Sequence, residues 1–154
     1  MDTDHGQVLR TVFAEISESL AFMFVEEPED ETSADPDTND LVLAFMGFSG
    51  PFSGKLVIAV PASLCPEIAA NVLGLDPDDE LVQAKPYDAL KELLNVTCGN
   101  VLTAIAGEEP IFDLTPPEVK KMDLTAWQAL RNMPGTQQHL VEDRPVLLQL
   151  SIDG

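Results

Sequence analysis

The sequence predicts an α+β fold: a two-layer arrangement in which a largely antiparallel sheet, built from hairpins, carries long helices packed on one face. Three observations predict it. Strand-like segments come in adjacent pairs, Leu41–Phe48 with Gly54–Val60 and Gln137–Glu142 with Val146–Ile152, each pair joined by turn residues. Two segments, about Thr3–Val25 and Pro86–Ala106, space their apolar residues as amphipathic helices do. Helices do not alternate one by one with strands, so a doubly wound parallel sheet does not fit. A length of 154 residues supports a substantial core, and residues 1–154 are expected to form a single domain.

In chain order, the first helix places Val8, Val12, Phe13, Ile16, Leu20, Met23 and Phe24 on its apolar side, with Asp4 as its N-cap. The acidic stretch Glu26–Asp40 follows, with Ala34 as its one apolar residue beyond two prolines. Pro28 and Pro36 keep the helix from continuing, and the composition predicts a flexible, solvated loop over about 26–40. Leu41–Phe48 alternates weakly, as suits a strand covered on both faces or at a subunit contact. Ser49–Gly54 supplies the hairpin turn, to which Gly50 and Gly54 are assigned. Pro61 ends the second strand, and Ala62–Leu73 forms a short helix with Leu64, Ile68, Ala69 and Val72 inward, stopped by Gly74.

A connector with helical content around Asp79–Ala84 leads into the second long helix, which ends near Ala106 with Gly107 as C-cap. Ile111–Leu114 reads as a strand closed by Pro116-Pro117. Lys121–Asn132 reads as a helix capped by Asp123 or Thr125, and the final strands flank an Glu-Asp-Arg-Pro turn. A long helix followed by strands thus occurs twice, which hints at a duplication.

The formal charge of −19, from 8 Lys and Arg against 27 Asp and Glu, excludes several function classes. So few dispersed cations do not neutralise a run of phosphates, which argues against nucleic acid and equally against an anionic membrane surface. The longest apolar runs, Leu41–Met46 and Leu56–Pro61, fall far short of the roughly 20 residues a spanning helix needs. The N-terminus has two aspartates and no basic segment ahead of an apolar one, so a cytoplasmic location is expected. Cys65 and Cys98 sit among apolar residues and read as reduced core thiols. With only His5 and His139 beside them, no metal-ligand spacing exists, and no cofactor is expected on this chain.

No catalytic triad or phosphate-binding loop is supportable. His139 lies in a predicted strand, no serine or cysteine stands at a nucleophile elbow, and the glycines form neither GxGxxG nor a GKS/GKT loop. The polar residues that packing does not explain lie within Asp88–Asn100. At about 100° per residue, Asp88, Glu92, Asn95 and Gly99 share one narrow helical stripe, while Leu90, Leu94, Cys98, Val101 and Ile105 fall on another arc. Asn is a mediocre residue within a helix, and Gly costs about 1 kcal/mol relative to Ala. Two such residues one turn apart suggest a surface that something approaches closely. Tight packing of Gly99 against the N-terminal helix would explain the glycine equally well.

These residues resemble a known family. Asp88-x3-Glu92-x2-Asn95, with Pro117 following after 21 residues, is similar to the signature of the CheC/CheX/FliY chemotaxis phosphatases. Gly99-Asn100 resembles the CheX version, and the glycine-bearing hairpin from Phe48 to Pro61 is also similar. The resemblance covers about Leu41 to the end. It departs in Pro117–Met122, which lacks a glycine common near that place, and this touches the loop after the proline rather than the stripe.

The resemblance implies dephosphorylation of a phosphorylated CheY-type response regulator, which itself carries the Mg²⁺. It implies Asn95 as the group that orients water and Glu92 as an anchor for a regulator lysine, with Asp88 and Gly99 in the docking surface. It also implies a homodimer joined through its sheets. CheC-like members carry a second site. Here the N-terminal helix offers Thr11-x3-Glu15-x2-Glu18, with glutamate where the asparagine belongs, so a second site would be inactive. The alternative is a non-catalytic binding module that docks a receiver domain or motor component through the same helix.

Overall fold

The computed structural model describes residues 4–28 and 35–153. In chain order these form α1 (His5–Ala21), β1 (Val25–Glu26), β2 (Leu41–Ser49), β3 (Ser53–Pro61), α2 (Leu64–Leu73), α3 (Glu80–Ala84) and α4 (Asp88–Ala106). They continue with β4 (Asp113–Leu114), β5 (Glu118–Met122), α5 (Leu124–Arg131), β6 (Gln137–Val141) and β7 (Arg144–Asp153). Among the described residues the strands make one antiparallel sheet in the order β1-β6-β7-β3-β2. On the outer edge of β2, β4 and β5 lie end to end. The α+β class with long helices on one face is therefore the observed one.

Strand alternation divides the sheet between two cores. Val42, Ala44, Met46 and Phe48 of β2, Leu56, Ile58 and Val60 of β3, and Val146 and Leu148 of β7 face the helices. There they meet Leu9 and Phe13 of α1, Leu64 and Ile68 of α2, and Leu90, Leu94 and Cys98 of α4. Each such Leu, Ile or Phe contributes about 1.5–3 kcal/mol through burial. The alternate residues Leu41, Ala59 and Leu147 face the other way and are covered by Trp127 of α5, which is fully buried. The weak alternation of β2 thus has a cause: the start of the strand is covered on both faces.

Several boundaries differ from expectation. The first helix stops at Ala21 rather than near Val25, because Val25 and Glu26 pair with Val141 and Leu140 at the sheet edge; Thr3 lies outside the described residues. The Asp4 carboxylate accepts from Gln7 N at 3.1 Å, the N-cap foreseen. Phe22 closes α1 in the left-handed conformation (φ 52°, ψ 38°), with its N–H donating to Glu18 O and that of Met23 to Ser17 O. For a residue with a Cβ this conformation costs about 1–2 kcal/mol. Met23 is buried as predicted, but Phe24 points outward.

The Ile111–Leu114 strand shrinks to two residues, and Lys121 and Met122 belong to β5 rather than to the following helix. α5 begins at Leu124, capped by the Asp123 carboxylate, which accepts from Ala126 N at 2.9 Å. Gly54 lies inside β3, and neither it nor Gly50 has a positive φ, so a turn conformation does not explain them. Close approach does. A Cβ at Gly54 would run into the Ser151 carbonyl and lie 2.7 Å from Phe48 Cζ, and one at Gly50 would lie 2.8 Å from Ile111 O. The last hairpin turns on Glu142 and Asp143, both at positive φ, the two-residue turn whose twist matches its strands.

Residues 29–34 of the predicted acidic loop lie outside the described residues. On one side of them, Glu27 pairs with Arg10 of α1 at 2.7 Å. On the other, Asp35 pairs with Arg131 and accepts from Gln128, Asn39 accepts from Leu124 N, and Asp40 pairs with Lys121 at 2.9 Å. The Arg131 guanidinium holds the Asp35 carboxyl below its usual range, and the bond to Asp40 raises the Lys121 ammonium. Asp35–Asp40 is thereby tied to β5 and α5. Among the described residues no helix is long and apolar enough to cross a membrane.

Candidate functional site

α4 is held in place by three neighbours at once: the sheet below and the two helices α1 and α2. Its buried residues accordingly form two adjacent rows, Ala89, Leu93, Thr97, Val101 and Leu90, Leu94, Cys98, Leu102. Four of the five residues predicted to be inward are buried, and Ile105, near the helix end, is half-buried. The buried arc is wider than the sequence stripe suggested, because flanking helices cover the helix sides as well as its base. Tyr87 precedes the first turn, and the N–H of Gly107 donates to Thr103 O at 2.8 Å to close the last.

The arc left open carries the predicted residues. Asp88 and Glu92 are exposed, and Asn95 and Gly99 are half-buried where the open stripe meets the flank. On an α-helix, Glu92 and Asn95 are separated by about 4.5 Å of rise and lie about 60° apart around the axis. Both side chains are uncommitted. Among the described residues the only side-chain hydrogen bond made from α4 runs from Asn100 Nδ2 to Val96 O at 2.8 Å, and no ion pair involves the helix. Gly99 decides between its two sequence explanations. A Cβ built there meets nothing within 4 Å, so packing against α1 does not require glycine. The space over Gly99 is open to an approaching surface.

The remaining reactive side chains are structural. Burial pushes the Cys65 and Cys98 thiols up to about 12 and 11, so both are protonated and inert at neutral pH. His139 is fully buried on β6, with Nε2–H donating to Gln137 Oε1 at 2.9 Å and the ring tilted against Phe13 at 5.7 Å. Burial, aided by the nearby Arg10 charge, pushes the imidazole down to about 4. Pro117 falls between β4 and β5, where the edge strand breaks. A groove of about 530 Å³ lies between α5 and the sheet face opposite α4 and holds none of the predicted site residues.

Thr11, Glu15 and Glu18 of α1 were matched to the α4 stripe from sequence, but Phe22, the cap residue that completes the spacing of Asp88, Glu92, Asn95 and Gly99, was missed. Glu15, Glu18 and Phe22 are all exposed, Phe22 to 70%, and Phe24 beside it is 68% exposed. The equal spacing of Glu18–Phe22 and Asn95–Gly99 was the available signal.

The long helix of this α+β domain thus presents an uncommitted carboxylate and carboxamide beside an open glycine on an open face rather than in a cleft. The family profile described as "Chemotaxis phosphatase CheX" matches residues 42–139, more than half of the chain. The chain belongs to the CheX family of chemotaxis phosphatases. Its fold is similar to that of chemotaxis protein CheX from Vibrio vulnificus, at 15% identity and a TM-score of 0.71, covering 98% of this chain and 97% of that one. It is also similar to the CheX–CheY–BeF3–Mg²⁺ complex from Borrelia burgdorferi (14% identity, TM-score 0.62, 98% and 99% covered). FliY from Thermotoga maritima is a third similar structure (13% identity, TM-score 0.58, 94% and 85% covered). No curated protein matches the sequence.

Proposed function

We propose that this chain accelerates hydrolysis of the aspartyl phosphate on a CheY-type response regulator, using the outward stripe of α4. The observation that carries the reading is the uncommitted pair Glu92 and Asn95 beside open Gly99. The existence of a CheX–CheY complex with BeF3 and Mg²⁺ among structures of the same fold supports a receiver-domain partner. A water molecule attacks phosphorus, the bond from phosphorus to the aspartyl oxygen breaks, and inorganic phosphate and a free carboxylate result. The regulator supplies the Mg²⁺ that neutralises the developing charge.

What this chain adds is position. Asn95 presents a carboxamide that accepts from the attacking water and donates to a phosphoryl oxygen without changing charge. Its place at the rim of the buried arc limits its freedom before the partner arrives. Glu92 pairs with a regulator lysine and fixes the helix in register, Asp88 extends the acidic docking surface, and Gly99 admits the partner backbone. The chain holds no cofactor of its own in this scheme and acts in the cytoplasm, where its partner is. A homodimer is part of the proposal: Leu43, Val57, Leu130 and Met133 line the half-open sheet face, and sedimentation equilibrium measures the association.

Asn95→Ala tests the reading. The variant is expected to fold and bind the regulator but to leave the phosphoryl lifetime at the regulator's own value. Wild-type protein that fails to shorten that lifetime on any cognate regulator leaves only a binding module.

A further inference from the structure

We infer that the exposed end of α1 is a second docking surface, one that takes a cationic amphipathic helix of a partner protein distinct from the regulator. Glu15, Glu18, Ser19, Phe22 and Phe24 line a shallow depression of about 480 Å³ along the helix and just past its end. Glu15, Ser19 and Phe22 follow one another about one turn apart, so a helix laid alongside meets this surface at each of its own turns. The extended segment after the cap sends Met23 into the core and leaves Phe22 and Phe24 outside.

Neither burial nor backbone geometry explains Phe22. Its φ of 52° is the conformation glycine adopts at helix ends, the residue is 70% exposed, and the residue after it, Met23, is the one that is buried and whose N–H donates to Ser17 O. A bulky residue kept in a disfavoured conformation with its ring in water points to function at that place. Charge selects the occupant. Glu15 and Glu18 flank the aromatic pair, neither forms an ion pair among the described residues, and the chain carries a net −19. An apolar ridge edged with lysine or arginine fills the depression and meets both carboxylates, while exposed aromatic faces also attract cations.

The test uses a fluorescein-labelled 15-residue Leu/Lys amphipathic helix, with two controls: a scrambled peptide of the same composition and a Leu/Glu version. Fluorescence anisotropy is expected to show the Leu/Lys helix binding at least about tenfold more tightly than the scrambled peptide, and the Leu/Glu helix not binding. The double variant Phe22→Gly, Phe24→Ser keeps every charge and relieves the backbone, so it should melt no lower than wild type yet lose about tenfold or more in affinity. Glu15→Gln, Glu18→Gln should weaken binding and flatten its salt dependence, and Asn95→Ala should bind as wild type does. Equal binding of the scrambled peptide, or unchanged affinity in the phenylalanine double variant, overturns the proposal. So does a loss of peptide binding in Asn95→Ala, which places the peptide on α4. None of these readouts depends on phosphatase activity.

Discussion

α1 and α4 are the two long helices of this fold, both packed on the same face of the sheet and against each other, yet of the four stripe positions only Glu15 and Glu92 match, and two of the three differences bear on the chemistry. Where α4 has Asn95, α1 has Glu18; where α4 has Gly99, α1 has Phe22. The first difference replaces a neutral donor and acceptor with an anion, which a phosphoryl group repels. The second replaces an open notch with a projecting ring. One scaffold therefore presents an open notch on one helix and a projecting ring at the end of the other. In both cases the helix carries a residue that its own stability disfavours, a mid-helix glycine on α4 and a left-handed phenylalanine on α1. Exposed positions that lower stability without any packing reason are where binding is to be sought.

The largest expected effect comes from trying to move the chemistry between helices. Placed in an Asn95→Ala background, Glu18→Asn restores the carboxamide to the α1 spacing. Dephosphorylation should nevertheless stay at the regulator's intrinsic rate, because Phe22 still blocks the approach that Gly99 permits. Recovery of turnover in that double variant, measured by phosphate release, would show that the carboxamide alone separates the two stripes in function. Charge reversal on α4 comes next. Glu92→Lys should nearly eliminate regulator binding, and wild-type binding should weaken as salt rises; a salt-independent affinity removes the lysine contact from the scheme.

The inner faces differ too. α1 packs Phe13 on buried His139, whereas the one titratable group buried on α4 is the Cys98 thiol, held protonated up to about 11. The imidazole titrates near 4 in the fold against about 6.5 in an unfolded chain. The unfolded chain thus takes up the proton first. Stability from the neutral ring is complete above about 6.5, falls as pH drops toward 4, and is gone below that, a loss of up to about 3 kcal/mol. Chemical denaturation at pH 7 and pH 4.5 should show it, and a variant such as His139→Gln should lose less over the same interval. Equal losses in both proteins would move the acid sensitivity to the carboxylates.

Much of this was legible in the sequence, and the gaps have physical reasons. The hairpin β2–β3 and the helix α4 showed clearly because long apolar segments with consistent spacing report their own burial. β5 did not, because Glu118–Met122 is an edge strand with Val119 and Met122 as its apolar residues, lysines at its exposed positions and two prolines just before it. The outward turn of Phe24 was hidden for the opposite reason: an aromatic residue at helical spacing is counted as core until a left-handed cap rotates it out. Gly54 was assigned to a turn because the Ser151 carbonyl that excludes a side chain there lies far away in sequence. The shared side of Asp88, Glu92, Asn95 and Gly99 on α4 follows from helix geometry alone, while the openness above Gly99 required its neighbours to be seen.

Gly99→Ala gives the smallest effect and the cleanest separation of the two roles a glycine can have. With nothing within 4 Å of an added Cβ, alanine should gain its helix propensity without a clash, about 1 kcal/mol, or a rise of roughly 3 °C in melting temperature for a domain of this size. The same methyl group should stand in the path of the regulator, raising the concentration of phosphorylated regulator needed for half-maximal turnover while leaving the saturated rate nearly unchanged. Calorimetry and a regulator titration read the two quantities independently. A more stable protein with weaker docking is the signature of a glycine kept for a partner. Lower stability would mean that α4 needs the gap for its own packing, and higher stability with unaltered docking would leave Gly99 outside the interface and narrow the docking face to Asp88, Glu92 and Asn95.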